Sequence, residues 1–150
     1  MPALRCPAAK SRSGFYIEFQ GDYTLTLDDD ASLTGGFYMS RAGAGSYTFI
    51  NSGTVEADDA NRNITFTEGN IQSDGSTSVN APVFKVSDSA ATMTFESSCT
   101  VSDMDADFEV TAGTLEIETD TCTTGDLAFS GGEIKVKENK TFRAGVGSCD

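Results

Sequence analysis

Histidine is absent from this 150-residue chain, and so is tryptophan. Without imidazole there is no Ser-His-Asp or Cys-His catalysis, and none of the usual His-containing metal centres. Enzymatic chemistry would have to rest on carboxylates. Basic residues are scarce as well: ten Lys and Arg stand against twenty-three Asp and Glu, a formal net charge of −13. Residues 1–14 hold Arg5, Lys10 and Arg12 and no acid, which leaves seven basic against twenty-three acidic residues in the remainder, or −16. Nucleic acid is held by clustered Lys and Arg, so this balance argues against it as a partner. Solubility accounts for most of the acidity, and cation binding is the functional alternative. No stretch is long and apolar enough for a transmembrane helix, and residues 1–14 lack the apolar run of a secretory signal. The three-and-four apolar spacing of an amphipathic helix recurs nowhere.

What the chain does have is alternation. Phe15-Tyr-Ile17-Glu-Phe19 and Tyr23-Thr-Leu25-Thr-Leu27 read as strands, and from Tyr47 onward two short apolar strands flank a Gly-centred turn again and again. The clearest copies run Tyr47 to Ala57 around Gly53, Ile64 to Ile71 around Gly69, Phe108 to Ile117 around Gly113, and Leu127 to Val136 around Gly132. A fifth, Phe84 to Phe95, has Ala91 in the glycine slot. The expectation is one all-β domain over residues 15–150 behind a basic tail of residues 1–14.

Two architectures fit such strands. Glu68-Gly69, Ala112-Gly113 and Gly131-Gly132 could be hairpin turns of an antiparallel sandwich or barrel, or corners of a parallel β-helix. The apolar position after the turn recurs at Val55, Ile71, Met93, Leu115 and Ile134, in steps of 16, 22, 22 and 19. A solenoid stacks equivalent residues at the strand spacing of about 4.8 Å and so favours like residues at like places. The register therefore favours a solenoid of about six short coils, with those five residues in one inward stack.

Four cysteines without a CxxC spacing and without histidine argue against structural zinc. Cys99 follows Met93 by six residues and Cys122 follows Leu115 by seven, so the two fall in nearly the same slot of adjacent coils. They read as a disulfide or as two buried free thiols. Cys6 and Cys149 lie near opposite ends, free or placed for bonds between chains. Among the acids, Asp103, Asp105 and Asp107 alternate along an extended segment and could offer hard oxygen ligands to calcium, although no EF-hand loop is present. Asp28-Asp29-Asp30 and Asp58-Asp59 are further candidates that also suit solvated turns. A calcium-dependent glycan-binding sandwich is thus the competing reading, and carboxylate-based polysaccharide cleavage a weaker one. Thr24/Thr26, Thr65/Thr67 and Thr92/Thr94 could form an ice-binding array, but later coils put Glu109, Glu116 and Lys135 where the threonines would continue.

Phe49-Ile-Asn51 followed by Gly53-Thr-Val55, and Phe129-Ser-Gly131-Gly132-Glu-Ile134, resemble the Phe-x-x-Asn and Gly-Gly-Ala-Ile repeats of autotransporter and polymorphic-membrane-protein passengers. The resemblance spans Tyr47 to Val136. It implies a right-handed parallel β-helix displayed outside a cell or on a virion surface, acting in adhesion or as a stalk. It transfers no catalytic or binding residue. The resulting expectation is a non-enzymatic structural or adhesive module without a cofactor, whose partners are further copies of itself, joined end to end, or cell-surface glycans.

Overall fold

The computed structural model describes residues 11–60, 63–76 and 79–150, with side chains from Tyr16 onward. Among the described residues the first strand is β1 (Ser11–Phe19), after which each turn adds three strand segments. The first turn holds β2 (Tyr23–Leu27) and both halves of β3 (Ser32–Arg41). The second holds β4 (Tyr47–Asn51), β5 (Thr54–Ala57) and β6 (Ile64–Phe66), and the third β7 (Asn70–Ser73), β8 (Val83–Val86) and β9 (Thr92–Phe95). In the fourth come β10 (Thr100–Val101), β11 (Asp107–Val110) and β12 (Thr114–Ile117). The fifth comprises β13 (Thr121–Cys122), β14 (Leu127–Phe129) and β15 (Glu133–Val136), and β16 (Phe142–Arg143) begins a further one.

Every strand pairing among the described residues is parallel, and each strand pairs with its counterpart one turn away. The fold is therefore a three-faced β-solenoid of about six turns, as the register favoured, and the antiparallel sandwich or barrel is set aside. The first face stacks β2, β4, β7 and β10, and the pair β13–β16 lies beyond them. The second stacks the start of β3 on β5, β8, β11 and β14, and the third stacks β1, the end of β3, β6, β9, β12 and β15. One strand joins two faces because β3 bends. Its Ser32–Thr34 half pairs with β5 and its Phe37–Met39 half with β6. Gly35 between them has φ +94°, a left-handed conformation that a side chain would strain.

Turn length varies while strand position does not. On the third face Phe37, Ile64, Met93, Leu115 and Ile134 lie one above another, at steps of 27, 29, 22 and 19 residues. The expected single stack is corrected here: Val55 belongs to the second face, in register with Leu33 and Phe84, and Ile71 to the first, in register with Phe49. Only Met93, Leu115 and Ile134 share a column. Strand structure also reaches back to Ser11, inside the segment read as a basic tail.

Alternation drives the packing. In β4, β5, β8, β11 and β12, inward residues are buried and outward ones half-buried. The interior is aromatic at its centre, where Phe66 stacks on Phe95 with ring centroids 5.0 Å apart and Phe84 on Phe108 at 5.3 Å. Tyr47 is fully buried, and its hydroxyl donates to the Thr67 carbonyl at 2.6 Å, so its polar tip is satisfied. Outside, the ladder on the second face runs Glu56, Lys85, Glu109. Lys85 Nζ lies 3.9 Å from one carboxylate and 3.5 Å from the other.

Candidate functional site

A solenoid must turn its backbone at each corner, which leaves peptide groups without ladder partners. Inside the corner between first and second faces, buried polar side chains take those groups. Asn51 donates from Nδ2 to the Val83 carbonyl at 3.0 Å and accepts the Gly53 N–H at 2.9 Å. Ser73, in register with Asn51, accepts the N–H groups of Asp105 and Ala106 at 2.7 and 2.8 Å. Thr123 donates to the Ala106 carbonyl at 2.6 Å and accepts the Gly125 N–H at 3.1 Å. Asn51 is the asparagine of the Phe-Ile-Asn element, so that element serves the corner.

Outside the corners, aspartates do the corresponding work. Carboxylates of Asp22, Asp58, Asp105, Asp107 and Asp120 accept the N–H of Ser46, Gly35, Gly75, Asp126 and Thr141, residues 19 to 30 positions away. Each bond ties one turn to its neighbour. Asp29 reaches farther, accepting the Val79 N–H at 2.9 Å, while its other oxygen is buried without a hydrogen bond among the described residues.

These bonds determine what becomes of Asp103, Asp105 and Asp107. The three do not converge. Asp103 is exposed in a left-handed conformation, with φ +48°. Asp105 faces the preceding turn, where it also accepts the Ser73 hydroxyl at 2.6 Å, and Asp107 faces the following one. Among the described residues, no group of three His, Cys, Asp or Glu is placed to hold a metal ion. Asp103 and Asp105 do line a polar cleft of about 590 Å³, together with Asp120, Thr124, Thr141 and Arg143. The cleft marks a gap in the first face, where β10 and β13 are not paired.

The cysteine expectation is corrected in the same region. Cys122 is bonded to Cys149, and Cys99 is a buried free thiol. The reason is register: β9 and β12 are offset by 22 residues, which carries Cys99 to the level of buried Thr121 and puts Cys122 one residue out of phase. Side chains alternate along a strand, so one residue separates inside from outside. Cys149 is thereby removed as a link between chains, and Cys6 lies outside the described residues. Burial pushes the Cys99 thiol up to about 12, so it stays protonated and unreactive.

The threonine pairs do not form one array. Thr24 and Thr26 lie on the first face and Thr65 and Thr94 on the third, where the ladder continues into Glu116 and Lys135, and Thr67 is buried. Sequence reading also missed the condition of the last turn. Leu127, Phe129 and Val136 are 39%, 53% and 41% exposed, although Phe108, Val110 and Ile117 directly beneath them are fully buried. The signal was present in residues 137–150, which hold no further pair of alternating apolar strands. Comparison with protein families, with characterised proteins and with solved structures finds no match.

Proposed function

We propose that this chain is a non-enzymatic structural module, a β-solenoid spacer or adhesive element displayed outside a cell. The observation that carries the reading is the use of its acids. Five aspartates hold backbone N–H groups of adjoining turns, so the residues best suited to carboxylate chemistry or cation binding serve as fasteners between coils. The Cys122–Cys149 disulfide supports an oxidising compartment, which fits exposure at a surface.

The polar cleft favours a second reading, glycan binding with or without calcium, since Asp103 and Asp120 stand there with Arg143 and three threonines. Thermal melts in millimolar calcium and in chelator, together with a glycan-array screen of the intact chain, separate the two. The structural module is expected to melt at the same temperature in both buffers and to retain no glycan. A rise in midpoint with calcium, or glycan binding lost on Arg143→Ala, would replace it with the binding reading.

A further inference from the structure

We infer that the exposed C-terminal end of the solenoid docks head to tail on the N-terminal end of a second copy, with β15 of one chain continuing its ladder into β1 of the next. The inference deepens the structural reading and rests on it. Three observations support it.

The last turn is built as an interior layer. Its inward side chains are apolar and aligned with a buried layer beneath, yet Leu127, Phe129 and Val136 are exposed because no described turn covers them. Among the described residues, β14, β15 and β16 each have a partner on one side only. A strand edge of this kind is a template for another parallel strand.

The N-terminal end offers the matching surface with the same polarity. There β1 and β2 also have one partner each among the described residues, and Ile17, Phe19, Tyr23 and Leu25 border an apolar notch of about 360 Å³. Because every ladder is parallel, a copy placed above β15 with its β1 downward keeps the strand direction of the whole stack.

Register and charge then agree. Following the column from Val136 through Ile117, Phe95, Phe66 and Met39 leads to Ile17, so one further step places Val136 of one copy beneath Ile17 of the next. The same step sets Lys137 opposite Glu18 and Lys135 opposite the exposed Tyr16 ring. The two ends differ in charge to match. Residues 127–150 hold Lys135, Lys137, Lys140 and Arg143 against Glu133, Glu138 and Asp150, four minus three or +1. Residues 11–31, from the start of β1, hold Glu18, Asp22, Asp28, Asp29 and Asp30 against Arg12, one minus five or −4. A heterologous contact of this kind does not close on itself and yields open filaments.

The test is sedimentation velocity on the full chain in oxidising buffer over a range of concentrations, with Lys137→Glu, Glu18→Lys, the double variant and Val136→Lys. The wild type is expected to grow with concentration. Each single variant should weaken association by about tenfold, from like charge or a charged strand edge at the contact, and the double variant should recover it. All three positions are at a surface, and unchanged melting curves will show that the variants fold. If the wild type assembles and none of the variants alters it, copies join through another surface: the inference falls and the structural reading stands. A wild type that stays monomeric throughout also overturns the inference, while the structural reading is decided separately by the calcium and glycan measurements.

Discussion

Glu96 is the residue at which this acidic molecule works against itself. It follows Phe95 at the end of β9, and its burial, with Glu118 on the next turn and Glu68 nearby, raises its carboxyl above the ordinary 4.5. The folded state therefore holds this proton more tightly than the unfolded chain does. The resulting stability is full below pH 4.5 and is lost as pH rises through the raised value. Glu96→Gln is accordingly expected to raise the melting temperature at pH 7 by about one or two degrees, a small gain because the group is partly solvated, and to leave it unchanged below pH 4.5. Melts of the two proteins across that range check it; an equal gain at both ends would trace the effect to packing. Cys99 shows the limit of reading such residues from sequence. That Cys99 is a buried free thiol was one of the two readings open from the sequence, and the sequence did not decide between them, because a one-residue change in turn length reverses the face of a β residue.

At the scale of strands and corners, the repeat was legible as a repeat and misread as a single register. Gly113 and Gly132 mark the corner from second to third face, with φ +76° and +82°, as Gly35 does with +94°. Gly53 and Gly69 occupy the other two corners, between β4 and β5 and between β6 and β7. All three corners place a small residue between two short apolar strands, so the local pattern cannot tell one corner from another. Only the ladder partners can, and those lie 19 to 30 residues away. The columns that result make the interior interdependent. Phe84 touches Phe66, Phe95 and Phe108 on neighbouring strands, with ring centroids 5.3 to 6.0 Å apart. Phe84→Ala should destabilise the fold by about 4 kcal/mol. Denaturant unfolding at 25 °C measures it, and a loss under about 1 kcal/mol would mean that the cavity collapses onto neighbouring rings.

For the whole molecule, the two ends are secured differently. The Cys122–Cys149 disulfide closes a span of 27 residues and holds the C-terminal segment against the first face of the last turn. Reduction should cost about 3 kcal/mol if the fold unfolds as one unit. Melting in the presence and absence of reductant checks this, and an unchanged midpoint would show that the last turn comes away separately from the rest. A stack in which each turn touches only its neighbours behaves as a one-dimensional chain of coupled units. In such a chain an interior turn has two neighbours to lose and an outer turn has one, so opening begins at the ends. Covalent closure at the C-terminal end then gives unfolding a direction. Hydrogen exchange should advance from β1 and β2 inward, reach the Phe66–Phe84–Phe95–Phe108 centre last from that side, and arrive from the C-terminal side only once the thiols are free.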